Sequence, residues 1–511
     1  MAWGLSPPAD WGRPVRATVI GLGYVGLVTA ACLAEWGHDV IGVDGDEHRL
    51  DELEAGRMPI HEPGLEDLVA AGVSAGRLRF SAPAAQAVAA AQVVFVAVGT
   101  HDGNGGWQTA TIRSALSAIV PEMADDSTLV VRSTLPPDFI RQLPWLVSAM
   151  RQEAGRRPIP VMTNPEFTRE GSAVHDFLQP DRVVIGVGED PHGRGASMLR
   201  KIYRRTNVPV LVMGATDAAL TKLGANLFLA TKISFANELA QLCDAYGADI
   251  THVVAGMSHD TRIGGGFLRP GIGFGGSCLP HQVTMTIRES AALGLTTPLF
   301  EAVETINHRQ REVFVDRLTI AAGGLEGARI ALLGLTFKPD TDDLREAPAL
   351  DIARTLIDRG ATVVAYDPMP AARTKAAAEV PGLIVVDRAM KALVGADAIG
   401  LVTEWPEFAR LPWAAVAKAV RRPAIVDGRN ALQPAMLVAA GFTYVGFGRD
   451  GRAAVAEPGT VPTTTPAQPD AAGSPVPTRS RRRTSIEAAL SAHGIDRPLT
   501  PIGVETNVSG A

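Results

Sequence analysis

Cysteine is nearly absent from this chain: Cys32, Cys243 and Cys278 are three residues in 511. Spaced so widely, they exclude a disulfide scaffold and any paired-cysteine metal site, and they suit a reducing cytoplasm. Long apolar runs are lacking too. No stretch reaches the roughly 18 residues that a membrane helix needs, and Met1–Pro14 has neither the basic flank nor the apolar core of a secretion signal. Positive charge is not in excess, with 48 Lys and Arg against 54 Asp and Glu and a net charge of -6. That excludes the general basic surface on which nucleic acid is bound. Aromatic residues make up only 5%, so the abundant alanine and glycine must let helices pack closely. The remaining balance, 46% hydrophobic and 20% charged, is ordinary for a globular protein. A chain this long should form two or three domains, because single cores rarely grow beyond about 250–300 residues.

One stretch organises the rest: Gly271-Ile272-Gly273-Phe274-Gly275-Gly276-Ser277-Cys278-Leu279-Pro280. Its glycines build little core but let backbone approach a ligand and adopt positive φ. Pro280 suits the first turn of a helix over the apolar-periodic run Val283–Leu293, which places Cys278 just before a helix N-terminus. There the helix dipole favours a thiolate, so Cys278 is a candidate nucleophile. The segment alone also allows a small buried residue in a turn.

At the start of the chain, Arg16–Ile20 reads as a buried strand and Gly21-Leu22-Gly23-Tyr24-Val25-Gly26 follows at once. A helical pattern runs over Leu27–Trp36, Gly37 stops it, and Asp39–Val43 is a second strand ending at Asp44. Strand, glycine turn, helix, strand and acid in this order form a dinucleotide fingerprint. The first glycine makes the turn, the second admits the pyrophosphate, and the third lets helix pack on sheet. Asp44 would accept from the adenosine ribose hydroxyls and so selects NAD over NADP. Arg49 is either a cover for the adenine face or a solvated surface charge.

Further strands are expected at Val93–Val98, Thr128–Val131, Pro160–Met162 and Asp181–Gly186, with polar loops at Gly99-Thr100, Arg132-Ser133-Thr134 and Thr163–Gly171. Loops at the carboxyl ends of parallel strands are where such sheets bind ligands. Glu166 and Glu170 would share one face if a helix began at Pro165, either as acid–base groups or as carboxylates matched to a helix dipole. A long helix capped by Thr216 or Asp217 should reach Tyr246 and stop at Gly247. Lys222, Asn226, Leu229, Ile233 and Asn237 lie along roughly one of its faces. Its length suits a dimer spine. Beyond it, Arg262, Phe267 and Arg269 in glycine-rich loop fit recognition of a flat, phosphorylated ligand or a solvated loop.

A second α/β unit follows, with strands at Arg329–Leu333, Thr362–Tyr366, Ile399–Thr403 and Ala424–Asp427 and a helix at Pro348–Arg359. Its glycine turn, Gly334–Asp340, is incomplete as a dinucleotide pattern. The expected class is α/β: two Rossmann-like domains joined by a central helical domain with a long connecting helix. The boundaries are 15–210, 211–324 and 325–450, with a disordered tail at 451–511.

The motifs GLGYVG at 21–26, RST at 132–134, NPEFTREG at 164–171, KLGANLFLATKISFANE at 222–238, GFGGSC at 273–278 and FKPDTDD at 337–343 resemble the UDP-glucose/GDP-mannose dehydrogenase family over about residues 15–450. The resemblance implies NAD as cofactor, a nucleotide sugar as substrate (UDP-glucose first, GDP-mannose as the sister alternative), and a homodimer or larger homo-oligomer. It implies a four-electron oxidation of a sugar C6 alcohol to a carboxylate. Cys278 matches the nucleophile that forms a thiohemiacetal and then a thioester. Lys222 and Asn226 match the groups around the oxyanion, and Glu166 the acid–base or hydrolytic group. Thr134 would orient a water. Phe167 and Glu170 lie at the sugar site, and Arg262 matches a sugar-site arginine from the partner subunit. Phe267, Arg269, Gly273, Phe274, Phe337 and Lys338 match the nucleotide-sugar cradle, while Arg345, with Thr100, Thr134 and Glu170, falls on the cofactor side. No metal is implied.

Two departures stand beside the cysteine. Where the family carries Lys-Asp, this chain has His281 and Gln282, and His101 replaces a proline after Thr100. Glutamine cannot accept a proton at neutral pH, so His281 becomes a candidate base. A catalytically impaired paralogue that binds the same ligands is the reading from a different class.

Overall fold

The computed structural model describes residues 13–81, 83–100, 106–188 and 192–449. The tail expected at 451–511 and the His101 position lie outside them. Two parallel-rich sheets carry the chain. The first orders its strands β3-β2-β1-β4-β5-β6-β7-β8, where β1 is Arg16–Ile20, β2 Asp39–Val43, β3 Leu78–Ser81, β4 Val93–Val96, β5 Thr128–Val131, β6 Val161–Thr163, β7 Val183–Val187 and β8 Val210–Gly214. Only the pairing of β6 with β7 is antiparallel. Every residue of β4, β5 and β7 is buried, which explains why they read as unbroken β-branched runs rather than alternating ones.

The second sheet runs β11-β10-β9-β12-β13-β14, with β9 at Arg329–Leu333, β10 Thr362–Tyr366, β11 Ile384–Val385, β12 Ala398–Leu401, β13 Ala424–Asp427 and β14 Thr443–Val445. This repeats the order of the first six strands of the other sheet, the doubly wound arrangement whose loops at the strand-order reversal bind ligands. Several elements end earlier than their apolar runs suggest. β4 stops at Val96 and β12 at Leu401, where each run gives way to a ligand-side loop.

Between the sheets run a 32-residue helix, Ala215–Tyr246, and a 25-residue helix, Pro298–Ala322, packed on each other. The long helix starts earlier than expected. Gly214 is its N-cap and no side chain caps it, so Asp217 acts within the first turn, favourably placed against the dipole. Gly247 ends it at φ 68°, the left-handed cap that glycine accepts without strain. The sheets meet through their ligand-side loops. A Cβ at Gly171, after β6, would lie 3.0 Å from the Asp340 carbonyl, after β9. Among the described residues no helix is long and apolar enough to cross a membrane.

Candidate active site

Backbone shape makes the first half of the site. Gly21 has φ 90°, and a Cβ there would sit 2.8 Å from the Ala97 carbonyl oxygen. A Cβ at Gly26 would overlap the Gly21 carbonyl, whereas Gly23 has open space above it. The first and third glycines therefore close the turn, and the second leaves room for a ligand. No side chain caps the helix Tyr24–Glu35 that starts there, so its N-terminal end suits a pyrophosphate. Asp44 lies at the end of β2 and braces this turn. It accepts from the Leu22 N–H at 2.6 Å, the Asp46 N–H at 2.9 Å and Arg49 Nη1 at 2.9 Å. Arg49 is thus an ion-pair partner of Asp44, half-buried rather than solvated. Thr100 Oγ1 donates to the Thr134 carbonyl at 2.8 Å and ties the loops after β4 and β5 together. These residues fit NAD: a cradle that Cβ atoms would fill, a helix end with no side-chain cap, and a carboxylate at the end of β2 held against the same turn.

Expected result: Asp44→Ala weakens NAD binding and relaxes discrimination against NADP, since it removes a carboxylate and frees Arg49 for a phosphate. A hydrogen bond to a charged group contributes about 1.5–3 kcal/mol, or about 10- to 150-fold in affinity. NAD and NADP titrations compare the two proteins; equal use of NADP by the unmodified chain would refute the assignment.

The second half surrounds the sulfur. Cys278 is the N-cap of the helix Leu279–Ala292, with Pro280 in its first turn, as expected. The glycine loop before it is laced to three elements. Asn237 Oδ1 accepts from the Gly271 N–H at 2.8 Å, and Gln310 Nε2 donates to the Gly271 carbonyl at 2.8 Å. Asn307 accepts from the Phe274 N–H at 2.7 Å and donates to its carbonyl at 3.1 Å. Arg429 donates to the carbonyls of Gly273 at 3.0 Å and Phe337 at 3.1 Å. Gly276, at φ 82°, leaves no room for a Cβ, which would lie 2.8 Å from the Phe337 ring. Asn307, Gln310 and Arg429 were not singled out from sequence. The signal for the first two was a pair of amides three apart inside a helix that turn out buried.

Lys222, Glu166, Glu170 and Arg345 all act electrostatically on Cys278. Lys222 and Glu166 form a buried ion pair at 3.1 Å. Burial alone would raise the Glu166 carboxyl, but Lys222, the Thr168 hydroxyl at 2.5 Å and Arg132 hold it below the usual carboxylate range. Phe167 packs under the same ammonium, 5.4 Å from its ring centre, with Arg182 at 3.8 Å. Thr134, Lys222 and Pro165 line a cavity of about 20 Å³, the size one water needs. One turn along the long helix, Asn226 Nδ2 donates to Gln282 Oε1 at 2.9 Å, and both side chains are buried.

Glu166 and Glu170 do not share a helix face. Residues 164–169 are extended loop and the helix begins only at Ala173. Pro165 follows an asparagine whose side chain is locked to Arg132 and the Val184 carbonyl, which holds the chain extended. The two carboxylates diverge: Glu166 turns to Lys222, and Glu170 to Arg345 at 3.1 Å. Burial and the neighbouring Asp343 charge push the Glu170 carboxyl up to about 7, and Lys338 lies near enough to oppose this.

The sulfur itself departs from expectation. Its surroundings desolvate it and, with the Glu166 and Glu170 charges, raise the thiol above its ordinary value, outweighing Lys222 and the Ser277 hydroxyl. Cys278 nevertheless keeps surface open to solvent, while Cys32 and Cys243 are buried and also raised. Iodoacetamide is therefore expected to label Cys278 alone, slowly at pH 7, and faster with each step in pH past the usual thiol value of about 8.5. Fast labelling that is flat from pH 6 upward would show a resting thiolate instead.

Arg262 is exposed and pairs with Asp260 at 2.6 Å, and Phe267 (φ 64°) and Arg269 are exposed on the same loop. His281 lines a cavity of about 200 Å³ with Phe274, Arg288, Glu304, His308 and Glu346. It is Gln282, one residue on, that turns to the Lys222–Asn226 side.

Similarity to known proteins covers the NAD turn, the cysteine loop and most of the second sheet in turn. The NAD-binding, central and UDP-binding domain models of the UDP-glucose/GDP-mannose dehydrogenase family match residues 15–207, 216–309 and 331–434. This chain belongs to that family. A UDP-glucose 6-dehydrogenase of Pseudomonas aeruginosa is 41% identical over 442 residues, covering 85% of this chain and 98% of the relative. The Bacillus subtilis UDP-glucose 6-dehydrogenase YwqF is 38% identical over 437 residues, with coverage of 85% and 98%. A solved UDP-glucose dehydrogenase from Pyrobaculum islandicum superposes with TM-score 0.77 at 38% identity, over 84% of this chain and 96% of that one. In this chain the three matched stretches contain the glycine turn at 21–26, the cysteine loop at 271–280 and the loop at 337–345 respectively.

Proposed function

We propose that this chain is an NAD-dependent UDP-glucose 6-dehydrogenase that converts UDP-glucose to UDP-glucuronate through a covalent adduct on Cys278. The observation that carries the reading is the convergence of a solvent-reached thiol, a buried lysine–glutamate pair and a buried Asn226–Gln282 pair. NAD, when bound at the Gly21–Gly26 turn, supplies the hydride acceptor for both oxidations. Lys222 and the Asn226 amide stabilise the oxyanion at each tetrahedral stage. Glu166, held ionised by Lys222, is the group that takes the thiol proton and later one from the hydrolytic water. Thr134 orients that water. The thiohemiacetal gives up the carbon-bound hydrogen to become a thioester, and water releases the acid and restores the thiol.

The test is a panel of UDP and GDP sugars incubated with NAD, with products identified by mass. Two NADH per UDP-glucose and a uronic acid are expected. Preference for GDP-mannose, or nucleotide sugar bound without turnover, would replace this reading by one of its alternatives.

The working form is inferred to be a dimer in the cytoplasm, where the thiol stays reduced. Support comes from an exposed apolar stripe on the long helix: Leu220, Phe228 (64% exposed), Phe235, Leu242 and Tyr246 (85%). On this reading Arg262 projects toward the second copy. Phe228→Asp with Phe235→Asp is expected to give monomers of much reduced activity by sedimentation and assay; a fully active monomer would end the idea.

A further inference from the structure

Glu62 is a carboxylate that the reaction scheme does not use, yet it is only 5% exposed. It lies in the segment between the helices Glu47–Glu54 and Leu65–Ser74, remote in sequence from every group it touches. One oxygen accepts from the Tyr24 hydroxyl and from the Gly171 N–H at 2.6 Å. The other accepts from the Ala173 N–H at 2.7 Å and the Val174 N–H at 3.5 Å. Tyr24 Oη lies 2.9 Å from the same Gly171 nitrogen. Tyr24 opens the helix behind the NAD turn, while Gly171 directly follows Glu170, the partner of Arg345. The Lys338 ammonium, from the second sheet's loop, also acts on both Glu62 and Glu170.

A buried charge is retained only where it is well paired, and here four donors from two ligand-side segments converge on it. We propose that Glu62 is a positioning residue that couples occupancy of the NAD turn to the order of the loop presenting Glu166 and Glu170. This rests on the assignment of those two segments to cofactor and sugar. A ligand that fixes the Tyr24 turn fixes the hydroxyl, the carboxylate and the amides of residues 171–174 in turn. The sugar-side loop is thereby held in register only when the cofactor side is filled.

The test is hydrogen exchange on the full chain with NADH as the probe. In the unmodified protein NADH should slow exchange in peptides spanning 21–35 and also in those spanning 164–178, the latter by about fivefold or more. In Glu62→Gln one oxygen becomes an amide donor facing other donors, so protection at 164–178 should fall below about twofold while 21–35 remains protected. If that variant fails to fold, Tyr24→Phe removes only the hydroxyl link and should show the same separation. Full protection of 164–178 in either folded variant would overturn the proposal. So would NADH protection confined to 21–35 in the unmodified chain, or none anywhere. Failure to oxidise UDP-glucose, with the NADH effect intact and lost on substitution, would count against the substrate assignment and leave the coupling standing.

Discussion

Replacing Cys278 by alanine or serine is expected to abolish formation of the sugar acid while leaving NAD binding intact. The residue is solvent-reached and its sulfur lies 3.8 Å from the Ser277 hydroxyl, outside the buried apolar core, so its removal opens no core cavity. The glycine turn that suits NAD leads from β1 into the helix Tyr24–Glu35, a different segment from the helix that Cys278 caps. Without sulfur there is no thiohemiacetal, and the second oxidation has no covalent donor. Removal of a nucleophile that works as part of a unit costs at least about 10³-fold. Serine offers little rescue, because its hydroxyl is a far weaker acid than a thiol already raised by burial. The assay is NADH per sugar consumed: two in the unmodified chain and at most one in either variant, with no mass adduct on residue 278. Uronic acid formed at the normal rate by Cys278→Ala would remove the cysteine from the mechanism.

Most of the fold was legible because parallel strands buried on both faces are continuous apolar runs. Arg16–Ile20, Thr128–Val131 and Arg329–Leu333 have the bounds their composition suggests. Loops were less legible. Nothing local in Thr163–Gly171 says that Asn164 will be tied to Arg132 and Val184, yet that bond keeps the segment extended and separates Glu166 from Glu170. The site's supports were harder still. Asn307, Gln310, Arg429 and Glu62 act on backbone more than 15 residues away, and in a single sequence they look like ordinary surface polar residues. Motifs found the candidate reacting groups; only packing reveals what holds them. The thiol shows the same limit, since the helix end was visible in sequence and the desolvation was not.

Gln282 leads to the second large effect. It holds the Asn226 amide at 2.9 Å and is buried, so it keeps the geometry a carboxylate would provide there but accepts no proton. His281 lines the cavity with Glu304 and His308, while Gln282 takes the Asn226 side, so the proposed scheme gives His281 no part in proton transfer. On that scheme the hydrolytic base is Glu166, and Lys222, by holding its carboxyl below the usual range, makes it a weak one. Hydrolysis of the thioester is expected to limit turnover, with acylated Cys278 detectable by mass in the steady state. Gln282→Glu places a carboxylate of the same length beside Asn226, and Gln282→Asp restores the residue type the family carries. Either should raise turnover by about 10²-fold, at the low end of what a general base contributes, and clear the acylated species. Burial will raise the new carboxyl, so the gain should grow as pH climbs through its titration and vanish in acid, where the group is protonated. His281→Ala should change turnover little. Turnover unmoved by both Gln282 variants, with no acyl-enzyme in the unmodified protein, would mean that Glu166 suffices, and a large loss in His281→Ala would return the base role to histidine.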